Sequence, residues 1–199
     1  VTIGEGVPVW RSVDPNGKWQ GGGVIANLPA AGTVIASGHP VEINTETKVA
    51  KLANFFKVHA TVGTGGGDTS LKVKVLPGLP RLKAGNYIGV PPAVNGGAMT
   101  CITLGAVTQG LVYDEVTIVG NSLGGLAQDS LLTEGAANST TVPYAVPNAL
   151  IYSDVYIEDG TTVATCDGVH TGTVYAKRTP LMSTGVKTAL ASIKFDNSL

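Results

Sequence analysis

Punctuation by glycine and proline sets the tightest limit on what this chain can fold into. Twenty-seven glycines and eleven prolines among 199 residues divide it into apolar runs of roughly four to eight residues, the length of strands rather than of helices. Leu71, Val73 and Val75 alternate with Lys72 and Lys74, the pattern of a strand with one buried face. Charged residues make up 14% and hydrophobic ones 43%, so the chain is too apolar to stay disordered. The predicted class is all-β with one short C-terminal helix, and the length allows a sizeable core.

The helix signal lies in residues 148–199. Ile151, Ser153, Val155 and Ile157 fall on one face of an extended segment, and Glu158-Asp159-Gly160 supplies a turn. β-type residues resume from Val163 to Tyr175, with Gly168 and Gly172 as bends. Thr179-Pro180 reads as an N-cap followed by the first helical residue. Met182, Val186, Ala189, Leu190 and Ile193 then form one apolar stripe. Gly185 sits inside that stripe and weakens it by about 1 kcal/mol relative to Ala.

Three units are predicted. Residues 1–23 form an extended N-terminal arm, residues 24–55 plus 138–199 a discontinuous β domain, and residues 56–137 an inserted β-barrel-like domain. Lys48 to Phe56 is read as strand rather than helical turn, because β-branched and aromatic residues continue to Val62. Within the insert, strands are expected at Val58–Val62, Leu71–Val75, Tyr87–Ile88, Met99–Val107, Leu111–Val119 and Leu126–Leu132. LKAGNYI and GGLAQDSLL resemble each other, a sign of internal duplication. Asn138 to Pro147 reads as a proline-bounded linker. Strands before Phe56 are expected to pair with those after Asn148, bringing Gly38 to Val41 near Tyr152 to Val155.

Chemistry-bearing residues are scattered. The net charge is −1 and no basic cluster exceeds the pair Lys177-Arg178, which argues against nucleic-acid binding. No window approaches the ~18 apolar residues of a membrane span, and no charged-then-apolar leader opens the sequence. Cys101 and Cys166 each lie in an apolar alternating run and read as buried free thiols, with a single disulfide as the alternative. His39, His59 and His170 share no metal-ligand spacing, and His39-Pro40 reads as a turn. The glycine triplets at 21–23 and 65–67 lack the lysine of a phosphate loop. Asn121-Ser122-Leu123-Gly124-Gly125 lacks the spacing of a nucleophile elbow. Asp114-Glu115 and Glu158-Asp159 are adjacent pairs, which point to opposite faces on a strand or to solvent in a turn. No catalytic residue, metal ligand or cofactor site is predicted, and the chain is expected not to be an enzyme.

Trp10 and Trp19 both fall in the glycine-rich first twenty residues. They are read either as packing over the end of the domain or as anchors into a partner, where tryptophan is enriched. Thr2, Ile3, Val7 and Val9 beside Trp10 form an extended segment suited to adding a strand to a sheet edge.

The C-terminal order xLIYxDV, acidic turn, alternating strand ending GxVYxxR, proline-started helix and final IKF strand resembles the C-terminal half of tailed-phage head decoration and head-fibre proteins. The matching residues are Leu150, Ile151, Tyr152, Asp154, Val155, Gly172, Val174, Tyr175, Arg178, Pro180, Val186, Ala189, Leu190, Ile193 and Phe195. GTVIASGHPV at residues 32–41 is similar to a strand–turn of the same family. LKAGNYI and GGLAQDSLL are similar to GxxxGDxL turns of small barrels inserted into phage structural proteins. The resemblance implies a decoration-type β domain in a virion structural protein on the capsid exterior, made in the host cytoplasm. It implies a homotrimer that binds the major capsid protein, with Thr2, Ile3, Val7, Val9, Trp10 and Trp19 as the contact candidates. The inserted domain would project outward and contact host surface glycans. A rival reading is an adhesin-like glycan-binding module, for which Tyr87, Tyr113 and Tyr144 are the aromatic candidates. A second rival is a hydrolase, which would need two converging carboxylates or a His–Ser pair.

Overall fold

The computed structural model describes residues 9–19, 22–60, 70–76, 79–119 and 123–198. Strand β1 (Trp10–Val13) is followed by β2 (Gly23–Ile25), β3 (Val34–Ile35), β4 (Pro40–Asn44) and β5 (Val49–Leu52). Next come β6 (Phe55–Lys57), β7 (Ser70–Lys74), β8 (Tyr87–Gly89), β9 (Met99–Thr108), β10 (Tyr113–Val119), β11 (Leu131–Gly135) and β12 (Ser139–Thr141). The chain ends through β13 (Ala149–Ile151), β14 (Val155–Tyr156), β15 (Thr165–Cys166), β16 (Gly168–Val169), β17 (Gly172–Tyr175), α1 (Thr184–Ala189) and β18 (Ile193–Asp196). The protein is thus nearly all β with one short helix, and no helix among the described residues is long and apolar enough to cross a membrane.

Strands β6 to β12 form one sheet in the order β6-β11-β8-β9-β10-β7, with β12 paired to β9. An antiparallel bridge between Val58 and Val73 joins its two ends, so the sheet curls into a nearly closed barrel. Alternation fills the interior: Leu71 and Val73 of β7 are buried while Lys72 and Lys74 are not. Phe56, Ile88, Ile102, Leu104, Val116 and Leu132 complete much of that core. The β9–β10 register slips between Val116 and Ile118, a bulge that bends the long β9 around the barrel. A Cβ at Gly105 would lie 3.0 Å from Val119 Cγ2, so glycine suits the crowded inside of that bend.

The two similar segments adopt the same turn. Leu82 and Leu126 are buried at their starts and Ile88 and Leu132 at their ends. Asn86 N–H donates to Lys83 O, and Ser130 N–H to Ala127 O. Gly85 and Asp129 occupy the same place in each turn at φ 85° and 67°. Asp129 is one of the few non-glycine types that enter this region readily. The turns deliver the neighbouring antiparallel strands β8 and β11.

A second sheet runs β15-β2-β5-β4-β13-β16. Its seams β2–β15 and β4–β13 join segments on either side of the barrel, with Val24 opposite Thr165 and Val41 opposite Ala149. Gly38 to Val41, expected beside Tyr152 to Val155, instead bond to residues 149–151, with Gly38 N–H donating to Ile151 O at 2.7 Å and Val41 opposite Ala149. It is Ser37 whose Oγ donates to Tyr152 O and whose N–H donates to Asp154 Oδ1, both at 2.7 Å. Strand β3 pairs with β14 beside it. Ile25, Ile35, Val41, Ile43, Leu52 and Ile151 form its core. The third sheet, β1-β17-β18, has β17 and β18 parallel and linked through α1. Leu150, Val174, Met182, Val186, Leu190 and Ile193 pack beneath it.

Several boundaries differ from the sequence reading. The helix begins at Thr184 with Ser183 as N-cap, whose Oγ accepts from Val186 N–H at 3.3 Å. Thr179 instead donates its hydroxyl to Ala176 O at 2.8 Å, holding a turn. Gly185 is explained by close approach, because a Cβ there would lie 2.5 Å from Ala93 O. The segment after Asn148 is two short strands in different sheets rather than one. β10 begins at Tyr113 and leaves Leu111 98% exposed at the hairpin tip. The tip is held by Arg81, which pairs with Asp114 and donates to Gly110 O at 2.7 Å. The strand expected over Leu126–Leu132 runs from Leu131 to Gly135. Within the expected linker, Ser139–Thr141 forms a strand on β9. Val62, the glycine triplet at 65–67 and Ser122 lie outside the described residues, as does Gly21 of the first triplet, whereas Gly23 opens β2. Cys101 and Cys166 are buried and free.

Candidate functional site

Two features stand out once the fold is built, a polar cleft and an exposed apolar surface. The cleft, of about 470 Å³, opens between the barrel and the 26–29 segment after β2, lined among others by Asn27, Asn54, Lys83, Asn86, Tyr87, Glu134 and Tyr144. Glu134 is its centre. β11 places it opposite Ile88, and it is only 8% exposed.

Asparagine amides from other segments hold its carboxylate. Asn54, in the kink between β5 and β6, donates Nδ2 to Oε2 at 2.9 Å, and Asn86, in the turn before β8, donates Nδ2 to Oε1 at 2.6 Å. Asn27 is itself fixed, exchanging two hydrogen bonds with the Leu52 backbone at 3.0 and 2.8 Å. Among the described residues no ion pair involves Glu134. Burial therefore pushes its pKa above the usual carboxylate range, and the amides of Asn54, Asn86 and Asn27 and the charge of Lys83 oppose that rise. Burial, reinforced by the Glu134 and Glu42 charges, also raises the Tyr144 phenol. A buried carboxylate with amide donors but no cation is an expensive way to fill space, and such groups concentrate at functional sites. No second carboxylate is among the residues lining the cleft.

Behind Asn54 stands His39, read from sequence as a turn residue. Its backbone does close a turn, donating to Ala36 O at 3.1 Å, yet its side chain is 0% exposed. Burial lowers its pKa to about 4 against the favourable influence of the Asn54 side chain. Both ring nitrogens and Asn54 Oδ1 lack a well-formed hydrogen bond within the protein.

The predicted contact residues lie elsewhere. Trp10 is half-buried in the C-terminal core, and its Nε1 donates to Ile151 O at 3.3 Å. Trp19 packs on the second sheet's core, its ring 5.2 Å from that of His170. Val9 packs against the C-terminal core and its carbonyl accepts from Tyr175 N–H at 2.9 Å. Thr2, Ile3 and Val7 lie outside the described residues. Residues 9–19 thus add a strand to the chain's own sheet, β1 on β17. Of the aromatic candidates, Tyr87 and Tyr144 share the cleft, whereas Tyr113 stacks on His59 at 4.6 Å.

The apolar surface comes from two stretches without Asp, Glu, Lys or Arg, residues 84–113 and 135–153. The loop after β8 and the loop before β13 run side by side, Asn95 Nδ2 donating to Pro147 O at 3.0 Å. Val90, Val94, Val142 and Val146 on these loops are 48, 71, 45 and 37% exposed. Gly96 lies against Val146, where a Cβ would meet Val146 Cγ1 at 3.2 Å.

Sequence reasoning missed Glu134 and its asparagines because they come from four separated segments. The one local signal is a lone acid and a lone asparagine inside the apolar runs SLLTEG and KLANFF. No protein-family model, curated protein or solved structure matches this chain.

Proposed function

We propose that this is a non-enzymatic virion structural protein, a capsid decoration or head-fibre subunit that binds and stabilises the head shell as a homotrimer. The observation that carries the reading is the exposed apolar side chains of Val90, Val94, Val142 and Val146, on two loops whose own sequence carries no charge, with the Glu42 carboxylate reaching in to accept from Val146 N–H at 2.8 Å. Depletion of charge over exposed apolar side chains is the composition of a protein–protein interface core. The C-terminal sequence resemblance supplies the partners, further copies of the chain and the major capsid protein. The mechanism is mechanical: a rigid β scaffold buries apolar area between subunits and against the shell, at about 25 cal/mol per Å² before association costs. The barrel, projecting outward, is the part left to meet the host surface.

Size-exclusion chromatography with light scattering tests the reading. A stable trimer is expected, and Val94→Asp combined with Val146→Asp should dissociate it while leaving circular dichroism unchanged. A monodisperse monomer, or a trimer indifferent to both substitutions, would overturn it.

A further inference from the structure

The cleft around Glu134 has a chemistry that shell binding does not use, and charge narrows its ligand. Glu134 disfavours an anion. Lys83, whose Nζ donates to Leu28 O at 2.8 Å, and Arg81 line the same cleft and disfavour a cation. A purely apolar ligand would leave the carboxylate and the carboxamides without partners, which is costly in a buried site. What remains is a neutral ligand rich in hydroxyls, since each hydroxyl both donates and accepts.

The geometry suits such a molecule. The Glu134 oxygens accept amide hydrogens from Asn54 and Asn86, with the Asn27 amide also acting on the carboxylate, and a carboxylate's roughly four lone-pair sites leave room for a ligand hydroxyl. Tyr87 and Tyr144 add amphipathic rings, with an apolar face and a polar tip. The volume, about 470 Å³, falls within the ~300–1,000 Å³ of small-molecule sites.

We propose that this cleft is a saccharide site, in which Glu134, ordered by Asn54 and Asn86, receives hydroxyls of a neutral mono- or disaccharide seated beside Tyr87 and Tyr144. The site deepens the outward-facing role given to the barrel but stands independently of trimer formation.

Saturation-transfer difference NMR on the full chain tests it, with a panel of neutral hexoses, N-acetylhexosamines and their disaccharides as probes. At least one is expected to bind, and Glu134→Gln should weaken that binding by about ten- to a hundredfold, the loss of hydrogen bonds to a charged acceptor. Glu134→Gln keeps the side-chain volume and removes a buried charge, so its urea midpoint should equal or exceed that of the parent. Tyr144→Phe, which removes only the phenol hydroxyl, gives a second reading should Glu134→Gln fail to fold. No saturation transfer from any saccharide at tens of millimolar, undiminished binding in both variants, or binding of lysine or spermidine in place of sugars would each overturn the assignment. None of these outcomes depends on the solution mass, so a failed trimer and a failed sugar site remain distinct results.

Discussion

The barrel draws its seven strands from residues 55–141 and joins its own ends through Val58 and Val73. The six-stranded sheet is stitched across the barrel's insertion, through β2–β15 and β4–β13, and it ends in two open edges, β15 and β16. Closure protects the first from edge pairing. The second relies on covering: the N-terminal segment bridges Lys18 to Val169, and Trp19 N–H donates to Gly168 O at 2.9 Å. Short strands become stable either by closing on themselves or by borrowing a cover from distant sequence. The two solutions should respond differently to damage.

Crowding gives the largest contrast. A Cβ at Gly89 in the barrel would lie 2.1 Å from the carbonyl oxygen of Thr100, a backbone atom fixed by the β8–β9 pairing. Gly89→Ala should therefore prise two barrel strands apart and cost roughly 4 kcal/mol or more, beyond ordinary overpacking. In the open sheet, a Cβ at Gly168 would meet Ile43 Cδ1 at 2.4 Å, the far end of a flexible side chain. Gly168→Ala should cost only about 1–2 kcal/mol as Ile43 changes rotamer. Urea unfolding of both variants measures the difference, and equal costs would remove the distinction between closed and covered sheets.

Acid separates the halves next. His39, just ahead of β4 on the open-sheet side, has its pKa lowered to about 4 by burial, against about 6.5 when unfolded. Between those values the unfolded chain binds more protons. The contribution of neutral His39 is therefore complete above pH 6.5 and is lost as pH falls toward 4, amounting to about 3 kcal/mol. Glu134 on the barrel side works in the opposite sense. Its pKa is raised, so folding loses stability as pH rises above the unfolded carboxylate value. Thermal midpoints from pH 4 to 7 should fall toward the acid end in the parent, and His39→Met should flatten that limb. An unchanged acid limb in His39→Met would show that His39 is not the group responsible.

Much of the architecture was visible in the chain because local chemistry decided it. Leu71 and Val73 alternate with lysines and are buried, and the two similar turns place Gly85 and Asp129 alike. What escaped was set by distant contacts. Leu111 reads as a strand residue, yet Arg81 ties Gly110 and Asp114 into the tip that exposes it. Asp114, one of an adjacent acidic pair, is buried through that same guanidinium while Glu115 faces out. Glu134 becomes a site only when Asn54 and Asn86, 80 and 48 residues away, converge on it. A single acid in an apolar strand carries no spacing by which to recognise that.

The helix start is the smallest effect and the sharpest test of this division. Local rules in the sequence favour Thr179-Pro180 as the cap, whereas Ser183 holds the position in the fold. The deciding contact is not local. Gly185 brings the first turn against Ala93 O, in the barrel loop between β8 and β9, and Met182 and Val186 are buried on either side of it. Starting the helix at Pro180 would rotate the path of Met182 and pull Gly185 away from that carbonyl. Ser183→Ala should then cost about 1 kcal/mol, the worth of a lost N-cap, and raise hydrogen exchange at the Val186 amide. Thr179→Ala should cost less and leave that amide protected, because its hydroxyl bonds to Ala176 O outside the helix. Equal costs for the two, with Val186 protected in both, would place the helix start back at Thr179 and make this segment a product of its own sequence rather than of the barrel it leans on.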